Sequence, residues 1–293
     1  MKHILYNPKS GNNSGKNYAL MLEVCYPDSI SHDLTAIDDY AAFFAGLAPS
    51  DDVILCGGDG MLNYFVNNIR DTAIQNRVFL YAMGTGNDFA RDIGKSEKDE
   101  PDYPINDYIK DLPSVTVDGI TRLFINGVGY GIDGYCCEMG DKLREQNQKL
   151  QQDKPINYTS IAIKGLLHDF KPVSAVVTVD GKRFEYKNVW IAPTMNGRYY
   201  GGGMMPAPEQ DRLSPDRQLS LTVMHCGSKL KALCIFPSIF KGRHVKYTRA
   251  VSIHRGSKIT VEFDRPAPLQ IDGETILNVT SYTANAAQPY ENS

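Results

Sequence analysis

Asp52-Val-Ile-Leu-Cys56-Gly57-Gly58-Asp59-Gly60, followed by the helix-like segment Met61 to Arg70, decides how the first third of the chain folds. An apolar strand that ends in glycines and a carboxylate is poor packing material. It suits a turn whose backbone N–H groups approach a phosphate closely, with Asp59 placed to hold a divalent cation or position a phosphoryl group. The arrangement recurs at Met83-Gly84-Thr85-Gly86-Asn87-Asp88, behind the apolar run Val78 to Ala82. One such loop is an ordinary tight turn; two in series on neighbouring strands favour a nucleotide site. Asp88 reads equally well as the cap of the helix that Phe89 opens.

Working outward, short apolar runs alternate with helical patterns: His3 to Tyr6 then Gly15 to Cys25, Val53 to Cys56 then Met61 to Arg70, Val78 to Ala82 then Asn87 to Ile93. That order predicts an α/β nucleotide-binding domain with a mostly parallel sheet, its ligands at the carboxyl ends of the strands. Beyond a boundary expected between Asp111 and Asp118 the pattern changes. Ala175 to Val179, Val189 to Ala192, Leu219 to Val223 and Lys258 to Phe263 predict antiparallel strands of a β-rich, sandwich-like C-terminal domain. Helical intervals interrupt it at Asp141 to Gln152, Ile156 to Phe170 and Lys229 to Lys241. The expected division is residues 1–117, residues 118–280, and a tail, 281–293, packing back on the first domain.

The chain has 293 residues, 42% of them apolar and 22% charged, which is ordinary for a globular protein. A net charge of −3 argues against a general nucleic-acid binder. The six cysteines show no C-x-x-C spacing and read as reduced thiols of a cytosolic protein. No apolar stretch is long enough for a signal peptide or membrane span, so any membrane contact is expected from outside the bilayer. Ser228 to Thr260 holds eight basic residues and no acidic one, interleaved with Leu230, Leu233, Ile235, Phe236, Ile239 and Phe240. Such a segment reads as a dock for anionic headgroups, or as a solvated face over core packing.

Asn7-Pro-Lys-Ser-Gly11-Asn-Asn-Ser-Gly15-Lys16 opens the first helix and offers amides to a phosphate. It is not a Walker A loop: three residues separate Gly11 from Gly15-Lys16, and Asn17 stands where a magnesium-binding hydroxyl is needed. Gly129-Tyr-Gly131-Ile-Asp-Gly134 matches G-x-G-x-x-G after an apparent strand, Leu123 to Asn126, but no strand–helix–strand unit follows it, which disfavours a dinucleotide fold.

Taken together, Asn7-Pro8-x-Ser10-Gly11, Gly57-Gly-Asp-Gly60, Gly84-Thr-Gly-Asn-Asp-Phe-Ala-Arg91 and Asp272-Gly-Glu274 resemble the diacylglycerol kinase catalytic domain family, especially its soluble bacterial lipid kinases. The G-G-D-G element alone is shared with NAD kinases and phosphofructokinases. The resemblance implies an N-terminal domain that binds ATP, a β-rich domain that accepts lipid, and catalysis in the cleft between them. Carried onto this sequence, Asn7, Pro8, Lys9, Ser10, Gly11, Thr35, Gly57, Gly58, Asp59, Gly60, Asn63, Gly84, Thr85 and Asn87 would contact the nucleotide, with Asp59 serving the Mg2+-bound phosphates. Asp272 would be the general base toward the lipid hydroxyl, and Glu274 would support it or the metal. The family's structural magnesium would fall to Asp216, with Leu213 and Gln218 as carbonyl donors.

Two departures stand out. Met61 and Tyr64 replace the Thr and Glu of G-G-D-G-T-x-N-E, and Ser214-Pro-Asp216-Arg217 replaces Asp-Asp-Gly at the metal. The expectation is a cytoplasmic, Mg2+-dependent kinase, peripheral to the inner membrane surface, that moves the ATP γ-phosphate to diacylglycerol or a related lipid. Its partners would be lipid and nucleotide, with no nucleic acid, and a homodimer is compatible. The alternatives are a kinase of a soluble acceptor such as NAD, and a lipid-sensing protein that has lost turnover.

Overall fold

Strand β1 (Lys2–Tyr6) lies between β2 (Ser29–Asp33) and β3 (Asp52–Gly57), and β4 (Arg77–Ala82) pairs with the far side of β3, all four parallel. The order β2-β1-β3-β4 puts the central strands under cover on both faces, which is why β3 is buried along its whole length and reads as an unbroken apolar run. Helices α1 (Gly15–Cys25), α2 (Tyr40–Ala45) and α3 (Asp59–Asn68) make the successive crossovers, and the short α4 (Asp88–Asp92) and α5 (Asn106–Ile109) follow β4. Because the chain leaves β1 toward β2 on one side and resumes at β3 on the other, the order reverses between β1 and β3. A crevice at the carboxyl end of a parallel sheet opens at such a point.

This computed structural model describes residues 1–10, 14–84, 86–95, 100–101, 103–150 and 156–288, and it divides into one unit ending at Leu112 and another beginning at Pro113. The break falls before residue 117 because β5 (Ser114–Val117) pairs with β6 (Ile120–Leu123) and with β14 (Glu274–Asn285), and so belongs to the second unit. Residues 281–285 are likewise the end of β14, paired with β13 (Lys258–Ile271), rather than a tail on the first unit.

Every pairing in the second sheet is antiparallel. β7 (Gly127–Tyr130), β10 (Thr194–Met195), β11 (Leu219–His225), β9 (Lys182–Ile191) and β8 (Val173–Val179) run in that order between two halves of β13, with β12 (Val251–Gly256) paired to β11. β13 pairs with β8 over Ile259 to Phe263 and with β7 over Leu269 to Ile271, so one long strand closes the layer on itself. The register shifts on either side of Ala267, beside Pro266 and Pro268, provide the bend. Val177, Leu221, Val261, Leu269 and the stacked pair Tyr130 and Phe263 fill the interior.

Helix α6 (Ile132–Lys149) opens nine residues before the expected Asp141, directly after β7. The glycines of the G-x-G-x-x-G match therefore lie in an antiparallel strand and a helix start, not in a phosphate loop. Gly134 is needed for close packing: a Cβ there would stand 1.9 Å from the Pro268 carbonyl oxygen. Past α6 come α7 (Tyr158–Lys164), a π-helical turn (Gly165–Asp169), and α8 (Lys229–Ile235) continued by 3-10 turns at Phe236–Lys241 and Arg243–Lys246. All six cysteines are free thiols. Among the described residues no helix is long and apolar enough to cross a membrane.

Candidate active site

Four loops leave the carboxyl ends of the parallel strands in the first unit, and they carry the residues expected to meet a nucleotide. After β1, the Asn7 side chain accepts from Lys9 N at 2.9 Å and its carbonyl accepts from Ser10 N at 3.0 Å, an Asx-type turn that aims the chain into α1. Pro8 and Ser10 lie half-buried in this turn and Lys9 is exposed. Thr35 follows β2 on the edge of the sheet, exposed, with its N–H and hydroxyl both donating to Asp33 Oδ1. Gly11 and Thr85 lie outside the described residues.

The loops after β3 and β4 are built as one body. Gly58 and Gly84 meet back to back; a Cβ on either would come 2.6 Å from the other's Cα. The Asp59 carboxylate crosses from one loop to the other, accepting from Asp88 N through Oδ2 and from Phe89 N through Oδ1, both at 2.9 Å. Asn87, at φ 49°, closes the second loop by accepting from Gly84 N at 2.9 Å and donating to Gly84 O at 2.7 Å. Asp59 is thus the cap of α4, supplied from a distant part of the chain, while the buried Asp88 takes Arg91 at 3.1 Å. This distribution sorts the helix N-termini. The first amides of α4 are occupied by a carboxylate, whereas no side chain caps α1 or α3 among the described residues. α1 and α3 follow β1 and β3, the two strands between which the order reverses, so their first amides and dipoles suit an anion at that edge.

The departures from the family pattern have structural consequences. Met61 is buried, its thioether packed over Gly57, where a Cβ would stand 2.5 Å from the sulfur. It fills space instead of offering a hydroxyl. Tyr64 is half-buried and Gly60 exposed, and the buried Asn63 is bound through its carbonyl and side chain by Asn67.

In the second unit, Asp272 and Gly273 form a two-residue turn joining β13 to β14, with φ of 47° and 95°. The half-buried carboxylate is anchored to backbone amides. Its Oδ2 accepts from Ile125 N at 2.6 Å and its Oδ1 from Asn126 N at 2.8 Å and Gly127 N at 3.0 Å. The same loop is held from its other side: the buried Arg212 donates to Ile125 O and to Asn126 Oδ1, both at 3.1 Å, and Asn196 donates to Ile125 O at 2.9 Å. Three N–H donors fix the carboxylate in one orientation. The exposed Glu274 faces Arg122 at 3.3 Å. Arg212, Asn126 and Asn196 were not legible as site residues, because nothing in their local sequence marks a contact made across 70 or more positions.

Below the turn, Gln270 accepts from Gly273 N at 2.7 Å, and its amide nitrogen and Asp133 Oδ2 both lie within 3 Å of where a Gly129 Cβ would stand. Asp133 is buried in the first turn of α6 beside the buried Tyr200. Burial pushes its carboxyl up to about 7.

The segment expected to hold a structural magnesium is organised differently. Asp216 Oδ1 accepts from Ser214 Oγ at 2.9 Å and Gln218 N at 3.3 Å, and the Arg255 guanidinium stands 3.7 Å away. The Ser214 hydroxyl first, then the Gln218 amide and Arg255, hold this carboxyl below its usual range. Arg217 takes the left-handed position, φ 52°, and donates to Arg212 O at 2.7 Å. Hydrogen-bond donors and a cation already surround the one carboxylate, and among the described residues no group of three His, Cys, Asp or Glu gathers to hold a metal. Asp216, expected as a metal ligand beside the Leu213 and Gln218 carbonyls, is thus engaged by hydrogen-bond donors and by Arg255.

The chain thus joins a parallel-sheet domain, whose strand-end loops pack glycine against glycine, to an antiparallel β domain. The diacylglycerol kinase catalytic domain matches residues 2–115, and the YegS C-terminal NAD kinase beta sandwich-like domain matches residues 127–288. The chain belongs to the family of the YegS C-terminal NAD kinase beta sandwich-like domain, whose match spans more than half of it, and its N-terminal part matches the diacylglycerol kinase catalytic domain. A diacylglycerol kinase of Mycobacterium tuberculosis (strain ATCC 25618 / H37Rv) is 28% identical over 234 residues, covering 75% of this chain and 72% of the relative. One of Bacillus subtilis (strain 168) is 24% identical over 288 residues, covering 92% and 88%. The crystal structure of a diacylglycerol kinase from Bacillus anthracis str. Sterne superposes with a TM-score of 0.58 at 17% identity, covering 98% of this chain and 94% of that one, and so shares the fold.

Proposed function

We propose that the protein transfers the γ-phosphate of MgATP to the hydroxyl of diacylglycerol or a related lipid. The observation that carries this reading is the convergence of the Asn7, Gly57–Gly60 and Gly84–Asn87 loops at the carboxyl end of one parallel sheet, in a chain of this family. Two helix N-termini and the glycine amides neutralise charge on the phosphates, which is most of what phosphoryl transfer asks of a protein. Magnesium enters with the nucleotide as part of the substrate. Asp59 keeps the two glycine loops in register and would lend its charge to a magnesium ion carried by the nucleotide.

Asp272 is assigned to the acceptor hydroxyl. In a loose transition state the nucleophile needs orienting more than early deprotonation, so a carboxylate held in place suits the role even though amides engage both of its oxygens. Glu274, tied to Arg122, is assigned an electrostatic part. The protein works at the membrane surface from the cytoplasmic side. Radiolabel from γ-labelled ATP should enter an extracted lipid fraction and not NAD. Label in NAD alone would transfer the reading to a soluble acceptor, and nucleotide binding without any product would favour a lipid sensor.

A further inference from the structure

The basic segment from Ser228 to Thr260 gains a partner that the sequence did not reveal. α8 buries Ala232 and Ile235 in the same apolar cluster that takes Ala162 of α7 and Leu166 of the π turn. Lys229 Nζ donates to Leu167 O at 3.2 Å, which sets the first turn of α8 against the π turn. With their inner sides committed, these elements present outward Leu230, 74% exposed, Ile163, 45%, Leu167, 41%, and Phe240, 37%. Ile163 and Leu167 are four residues apart and follow one stripe. Large exposed apolar side chains gathered on adjoining elements mark an interaction surface, unlike single exposed ones.

The rim decides the partner. Lys164, Lys229, Lys231, Lys241, Arg243 and Lys246 are all exposed on these same elements. The exposed acid among them, Asp169, is engaged by the Tyr135 hydroxyl at 2.8 Å. Exposed apolar side chains that share their elements with exposed lysine and arginine complement a bilayer: the former enter the acyl boundary while the latter meet negative headgroups.

We propose that the face formed by α7, the π turn, α8 and the following 3-10 turns docks on an anionic lipid bilayer. The inference deepens the lipid-acceptor reading and rests on it for its purpose, though not for its geometry. Docking would hold the protein where a water-insoluble alcohol resides, so that substrate enters from the membrane plane.

The test is co-sedimentation of the full chain with sucrose-loaded vesicles, either pure phosphatidylcholine or phosphatidylcholine mixed with phosphatidylglycerol. The wild type should bind the anionic vesicles and bind the neutral ones far less. Lys229→Gln, Lys231→Gln and Lys241→Gln together should weaken partitioning about a hundredfold at low salt. Leu167→Ser with Leu230→Ser should weaken it about tenfold or more, while Val24→Ser, at an exposed position of α1, should leave it unchanged. Equal melting temperatures would show that the variants are folded.

Phosphate transfer to a short-chain diacylglycerol in detergent micelles separates the two ideas. It should be unaffected by these substitutions, and its absence in the wild type would sink the acceptor reading while sedimentation still judges the surface. Vesicle binding that the substitutions leave intact, or failure of the wild type to bind anionic vesicles, would overturn the proposal. A loss of self-association in the Leu variants without loss of lipid binding would also overturn it, giving the face to a second copy of the chain.

Discussion

Replacing Asp133 with asparagine should change how stability depends on pH. Burial raises this carboxyl from an ordinary 3.8 to about 7, so the native state holds a proton that the unfolded chain releases near pH 4. Between those values the unfolded state binds fewer protons, and stability falls as pH rises until the native group has ionised near 7. From pH 5 to pH 8 the loss spans about two units, or about 3 kcal/mol at 1.36 kcal/mol per unit. His32, His225, His244 and His254, all with proton affinity lowered by burial, tilt stability the opposite way up to pH 6.5. They cancel when variant and wild type are compared at each pH. Asparagine keeps the shape and removes the charge, so the Tm of Asp133→Asn relative to wild type should be higher at pH 8 than at pH 5 by roughly 6–12 °C. Calorimetry at the two pH values measures it. A Tm difference that stays constant with pH would refute the claim that a buried, proton-holding carboxyl sits under the Gly129 strand.

Three further outcomes follow from the site. Asp59→Ala removes the acceptor for two amides at 2.9 Å and should cost about 2 kcal/mol of first-unit stability with loss of nucleotide binding, read by denaturant titration and calorimetric titration with MgATP. Asp59→Asn should recover part of the stability, because its carbonyl can still accept one of the bonds. Gly58→Ala forces a methyl to within 2.6 Å of backbone and should destabilise by about 1–3 kcal/mol while weakening nucleotide affinity at least tenfold; unchanged affinity would separate this contact from the site. Because Arg255 and Ser214 occupy the Asp216 carboxylate, EDTA should leave the melting temperature of the apoprotein unchanged. A drop of several degrees, restored by magnesium, would show that the segment holds a metal.

The parallel sheet was readable because buried parallel strands are short apolar runs and each ends in its own turn residues. The pairing of two glycine loops at its carboxyl edge followed from the same punctuation around Gly57 and Gly84. What the sequence hid was non-local. Asp59 caps a helix 29 positions away, so a residue that reads as a ligand for metal also serves as the joint between two loops. Asp272 looked either like a solvated turn residue or like a base; it sits in a turn, yet its carboxylate is anchored to amides nearly 150 positions upstream. The start of α6 was masked by glycines that read as a loop and are there so that the helix can lie against Pro268. β14 went unread because its bulged pairing with β13 breaks the alternation by which strands are recognised.

The most direct test of the central claim is the fate of the labelled γ-phosphate when the purified protein is given MgATP and dioctanoylglycerol in mixed micelles, with Asp272→Asn in parallel. The account predicts labelled phosphatidic acid from the wild type and at least a hundredfold less from the variant, with MgATP affinity unchanged. Label remaining in ATP with every lipid hydroxyl offered, or a variant that turns over at the wild-type rate, would contradict it.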